Sequence, residues 1–170
     1  MNNINKTLRE QAIANGLCQQ WQKKWNRSLS QDELADFFYD GLDFCLKHRW
    51  PTNQFIKENF SIDFLRKVGV FVDDTRSVLN KEQCVILGKS KVRLRYNSSN
   101  DGNVYVRDSS FVFLESKGSG LIIVHLFDKA TITARQRDSG NVVLIKHSKD
   151  VNITADDSIK ITEEYDYLKD

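Results

Sequence analysis

Between Cys84 and Ile153, apolar residues return at matched offsets about every twenty positions. With Gly88, Asp108, Asp128 and His147 as anchors, the intervals are 20, 20 and 19. Four before each anchor stand Cys84, Val104, Val124 and Val143, and two before stand Ile86, Val106, Leu126 and Ile145. Four after come Val92, Val112, Ile132 and Val151, and six after come Leu94, Leu114, Ala134 and Ile153. Side chains two positions apart share one face of a strand. The pattern therefore predicts two strands per period, separated by the anchor turn. Repetition at this period marks a solenoid, whose coils bury their apolar faces only by stacking on one another. A stretch rich in Ser, Gly, Asn and Asp closes each period, with Ser99, Ser119, Ser139 and Ser158 in one column. Gly102, Ile122 and Val142 hint at a third short strand there. The structural alternative is an antiparallel meander of about eight strands, but hairpins do not require the columns to hold one offset through four units.

Ahead of the array the period changes to that of helices. Ile4, Leu8, Ile13, Leu17, Trp21 and Trp25 recur at helical spacing over 4–26, interrupted at Gly16. Ser30 and Glu33 form a capping-box pattern that opens a second helix carrying Leu34, Phe37, Phe38, Leu42, Cys45 and Leu46. Pro51 ends it near His48. Short helices are predicted over 52–59 and 62–68, the latter capped by Ser61 and closed by Gly69. The fold class is thus α+β: an N-terminal helical cap followed by a small parallel β-helix of about four coils. The segments are a helical part (1–69), a junction (70–82) that includes a lead-in strand at 70–72, the array (83–162) and an acidic tail (163–170). Ile159 and Ile161 begin an incomplete last coil.

The outward positions divide into two characters. On the first strand of each pair they are Val85, Leu87, Tyr105, Arg107, His125, Phe127, Leu144 and Lys146, mostly apolar or aromatic. On the second they are Arg93, Arg95, Phe113, Glu115, Thr133, Arg135, Asn152 and Thr154, mostly polar. A contiguous apolar patch calls for a cover. Either the helices supply one, burying Trp21, Trp25, Phe37 or Phe38 there, or a partner does.

Charge refines this picture only slightly. The chain's formal net charge is +2, and no basic stripe of the kind nucleic-acid binders carry stands out, so no nucleic acid is expected. From Asp156 onward there are 6 acidic and 2 basic residues, enough to guard an open end of a solenoid against stacking. No apolar run approaches a membrane span, and the first residues, MNNINKTLRE, lack the apolar core of a secretory signal. Three widely spaced cysteines, Cys18, Cys45 and Cys84, form no disulfide framework, and the expected location is a reducing cytoplasm.

Candidate chemistry is sparse. Asp108 and Asp128 share the anchor position in adjacent coils, a placement that suits calcium or sugar chemistry but equally an ordinary turn, since Asp bonds to nearby backbone. His125 and His147 fall three offsets apart in neighbouring coils, too far for joint ligation. Cys45 and His48 are half a zinc site without its other half. No phosphate-binding glycine loop, nucleophile elbow or HExxH pattern is present. No catalytic set, metal or cofactor is therefore expected.

Segments such as FDKATITA and RDSSFVFL give the array a repeat style that resembles short parallel β-helix proteins of bacteria. Relatives in architecture include bactofilin-like filament formers, hexapeptide-repeat acyltransferases and longer polysaccharide-acting β-helices. The 20-residue intervals depart from the roughly 18 of the hexapeptide type. The leading expectation is a non-enzymatic protein that presents a rigid solenoid face to a protein partner or to itself through Tyr105, His125, Phe127 and Leu144. The alternatives are a small carbohydrate-binding or carbohydrate-active solenoid using Arg93, Arg95, Asp108, Asp128 and Arg135, and a filament former that stacks end to end.

Overall fold

The computed structural model describes residues 3–169; the first two residues of the expected helical segment and the last of the acidic tail lie outside them. The described chain divides into two compact units, one running to Phe60 and the other from Ser61 to Tyr167. No helix among the described residues is long and apolar enough to cross a membrane.

The first unit is built from α1 (Asn3–Ala14), α2 (Gln19–Lys24), α3 (Gln31–Asp40), α4 (Leu42–His48) and α5 (Asn53–Asn59). The 4–26 stretch breaks into two helices because Gly16 takes a left-handed φ of 92°, which ends α1 as a C-terminal glycine does. The second expected helix also divides, at Gly41, whose N–H still bonds back to Phe37 O. The capping box forms as predicted. Ser30 Oγ accepts from Glu33 N at 3.2 Å, and Glu33 Oε2 accepts from Ser30 N at 2.8 Å. The Arg27 side chain and the Ser30 N–H together hold the exposed Glu33 carboxyl down at about 2. Leu8, Ala12, Leu17, Trp25, Leu29 and Leu34 form the apolar core of this unit. Asn5, fully buried, ties it together: its Oδ1 accepts from Leu29 N and Trp25 Nε1, and its Nδ2 donates to Leu29 O. Trp21 and Trp25 both pack on Phe37, at ring-centroid distances of 4.7 and 5.1 Å, so these aromatics serve the helical core.

The second unit opens with α6 (Ile62–Val68), capped by Ser61 Oγ and closed by left-handed Gly69. Eleven strands follow: β1 (Val70–Val72), β2 (Thr75–Leu79), β3 (Gln83–Leu87), β4 (Lys91–Tyr96), β5 (Gly102–Val106), β6 (Phe111–Ser116), β7 (Leu121–Leu126), β8 (Thr131–Gln136), β9 (Asn141–Lys146), β10 (Asn152–Ala155) and β11 (Lys160–Glu163). Odd-numbered strands form one sheet and even-numbered strands the other. Every pairing is parallel. That is the arrangement of piled coils, and it excludes the meander. The four expected coils, β3 to β10, continue into β1 and β2 ahead and β11 behind. The supposed 70–82 junction thus already contributes a strand to each sheet. Gly102 opens β5, Ile122 and Val142 are the second residues of β7 and β9, and none of them forms a third strand.

Interior ladders run through the array. Cys84, Val104, Val124 and Leu144 are in register in the first sheet, and Ile161 continues the column at its exposed end. Val92, Val112, Ile132 and Ile153 are in register in the second, as are Leu94, Leu114, Ala134 and Ala155. The fourth coil corrects the expected register. Val124 pairs with Leu144, a step of 20 like the others, so Val142 and Leu144 point inward while Val143 and Ile145 are half-exposed on the outside. The next turn is one residue longer, and Val151 joins the corner column of Ser90, Ser110 and Ala130, its neighbour Asn152 donating to Ala130 O.

Candidate functional site

The anchor turn decides what Asp108 and Asp128 do. Asp73, Gly88, Asp108 and Asp128 all have a left-handed backbone, with φ between 51° and 71°, the region Asp tolerates better than most side chains. Each acceptor then reaches the coil before it. Asp108 Oδ2 accepts from Gly88 N at 2.7 Å, Asp128 Oδ2 from Asp108 N at 3.2 Å, and Ser148 Oγ from Asp128 N at 2.8 Å. Ser148, not His147, is therefore the fourth anchor. Asp128 also pairs with Arg107, whose Nε lies 3.3 Å away and whose side chain is nearly buried. The two carboxylates are coil-to-coil fasteners.

Moving the anchor moves His147 as well. It stands level with Leu87, Arg107 and Phe127, one column from His125, and the two imidazoles meet: His125 Nδ1 and His147 Nε2 are 2.9 Å apart. The expectation that these histidines are well separated is thus wrong, because it rested on the 19-residue interval. His147 Nδ1 lies 2.7 Å from Glu164 O. A carbonyl only accepts, so Nδ1 carries the proton and the neutral ring's Nε2 accepts from His125. Tyr105 stacks on His125 at 4.6 Å and 5°, while His125 and His147 lie edge to edge in nearly one plane, their centroids 5.2 Å apart and their planes 3° apart. Tyr167, from the segment after β11, closes over His147 at 4.4 Å. Burial lowers the pKa of His147.

Of the four residues expected to form an open binding face here, Tyr105 and His125 are half-buried within this stack. Phe127 is only 3% exposed, and Leu144 is fully interior. Tyr167 covers His125, Phe127 and His147 there, and Val85 and Leu87 further along that surface are buried too. Elsewhere Cys45 is buried and His48 packs on the Phe44 ring.

The outer face of the second sheet is different. Its columns read Lys91, Phe111, Thr131, Asn152; then Arg93, Phe113, Thr133, Thr154; then Arg95, Glu115, Arg135. Neighbours within a column are about 4.8 Å apart. Arg93 from the coil before and Arg135 from the coil after flank the Phe113 ring, their guanidinium carbons 4.9 and 5.7 Å from its centroid. Phe111 is 38% exposed beside them. Lys91, Arg93, Arg95 and Arg135 are all exposed, with Glu115 the only acid in these columns. The outward Arg93, Arg95 and Arg135 are where the alternation places them. The Arg–Phe–Arg stack is not visible in sequence, since it depends on which coils are neighbours.

Comparison with protein-family models, curated proteins and solved structures finds no match to this chain.

Proposed function

We propose that this is a non-catalytic binding protein whose solenoid holds an acidic protein partner against the outer face of its second sheet. The observation that carries the reading is the Phe113 ring held between Arg93 and Arg135, with Phe111 exposed alongside. Arginine and aromatic side chains dominate the energetic centres of protein interfaces. A guanidinium already oriented by a ring loses less freedom when it takes a carboxylate. The strands beneath are hydrogen-bonded on both sides, so the surface meets a partner without rearrangement. Three free cysteines, Cys18, Cys45 and Cys84, fit a reducing compartment such as the cytoplasm.

The carbohydrate reading has less support. Its two acids, Asp108 and Asp128, are engaged with backbone of adjacent coils, and the neighbouring guanidinium groups leave Phe113 little face for a sugar. Affinity purification with wild type and with an Arg93→Glu/Arg135→Glu variant, followed by calorimetry on each recovered protein, tests the proposal. The expected result is an acidic partner whose affinity falls at least roughly thirtyfold in the variant, the loss of an interface hot spot, and falls with added salt. Partners bound equally by both forms would overturn it.

A further inference from the structure

The helical unit contains a cavity of about 240 Å³ that the binding face of the solenoid does not use. Its wall is largely aromatic: Trp21, Trp25, Phe37, Phe44 and Trp50 all line it. We propose that this cavity is a binding site for a small, neutral aromatic molecule of one or two fused rings.

Size, charge and ring geometry select that class. A cavity of about 150 Å³ accepts benzene, so this one has room for a second fused ring. The remaining lining residues are Ala12, Gly16, Leu17, Cys18, Gly41 and Cys45, and none carries a charge. Burial pushes the Cys45 thiol up to about 12, so that wall stays neutral as well. An ionic ligand would lose its hydration with no counter-charge in return. A cation meets a further obstacle, because the Lys24 ammonium already sits 4.7 Å over the Trp21 ring. Two indole N–H groups are also engaged: Trp25 Nε1 donates to Asn5 Oδ1 and Trp50 Nε1 to Gln11 Oε1, both at 3.2 Å. The wall thus favours apolar contact over the many hydrogen bonds a sugar needs. Its rings meet edge to face, Trp21 on Phe37 at 85° and Phe44 on Trp50 at 74°, and an inserted ring extends that packing. Gly16 borders open space, since a Cβ added there would have no atom within 4 Å. Cys18, also in the lining, is exposed to solvent.

Indole is a suitable probe for the full-length chain. Calorimetry should give saturable binding, weakened at least roughly tenfold by Ala12→Leu, which fills the cavity from its wall. Occupancy should also slow alkylation of Cys18 by iodoacetamide, read by mass spectrometry; Cys45 and Cys84 are buried and do not compete. If Ala12→Leu does not fold, Cys18→Phe obstructs the cavity from an exposed position and should weaken binding likewise. The proposal is overturned if indole shows no saturation up to its solubility limit. Undiminished binding in the folded variants, Cys18 alkylation unaffected by indole, or binding of tetramethylammonium in preference to indole would overturn it too.

Discussion

At the level of single side chains, one backbone requirement explains the anchor column better than any shared chemistry. The turn needs a left-handed residue at 88, 108 and 128 and, at 108, 128 and 148, an oxygen that reaches the preceding coil's N–H. Gly meets the first demand, Ser the second and Asp both, so identity varies while geometry does not. His147 sits beside this column and makes stability depend on pH. Burial lowers its folded pKa below the ordinary histidine value of 6.5, so the unfolded chain binds the proton more readily. Its contribution is therefore complete above about pH 6.5 and is lost as pH falls from there through the folded pKa. Protonation also sets Nε2–H against His125 Nδ1–H. Melting temperatures of wild type at pH 7.5 and 5.5 should differ by more than those of His147→Phe, which keeps a ring in the stack and cannot titrate. Equal differences in the two proteins would refute the assignment. The histidine pair is hidden in the sequence, because a one-residue error in the fourth interval separates two imidazoles that in fact touch.

Among the elements, legibility followed how strictly inside and outside alternate. The strands β4, β6 and β8 place apolar and outward residues by turns, and this alternation alone gives their inward columns. In β9 the run Val142-Val143-Leu144-Ile145 is apolar on both faces, so either register satisfies a hydrophobic count; the turn hydrogen bond to Ser148 selects one. β2 is illegible in the sequence for the opposite reason, since its two interior register positions are Arg76 and Val78, and a charged residue breaks the pattern. The corners impose limits of their own. A Cβ on Gly118 would lie 1.8 Å from Ser98 O, and one on Gly120 2.0 Å from Asn100 O, backbone atoms of the coil below that no side-chain rotation can relieve. Gly120→Ala should destabilise the protein by about 3 kcal/mol, the upper end for overpacking, measurable by urea unfolding. A loss under about 0.5 kcal/mol, the scale of ordinary surface substitutions, would mean that the coils separate more easily at this corner than described.

For the molecule as a whole, the ends of the array decide whether it stays solitary. The edge strands of the second sheet, β2 and β10, each have one neighbour, and an open strand edge invites another chain. At one end the interior column of Val92, Val112, Ile132 and Ile153 is headed by Arg76, exposed to solvent. A second copy docking there would have to bury that guanidinium against the apolar end of its own ladder, a known guard against edge-to-edge growth. Arg76→Val should therefore raise the weight-average mass with concentration, by light scattering, well beyond wild type; superimposable curves would show that Arg76 plays no such part. The helix-then-solenoid plan was legible from periodicity alone, whereas the chemistry of its surfaces was not, because it depends on which coil lies above which.

The uniform step of 20 from β3 through β9 carries a last implication. Backbone pairing and the Asp fasteners join each rung only to the rungs next to it, so neither identifies a rung by its number, although side-chain contacts such as Arg93 and Arg135 on Phe113 do. Excising residues 109–128 would splice Asp108 to Lys129 in an equivalent turn and leave the flanking rungs in register. Such an array can lengthen or shorten in whole quanta of one period by duplication or deletion within its gene, while its two dissimilar ends stay unchanged.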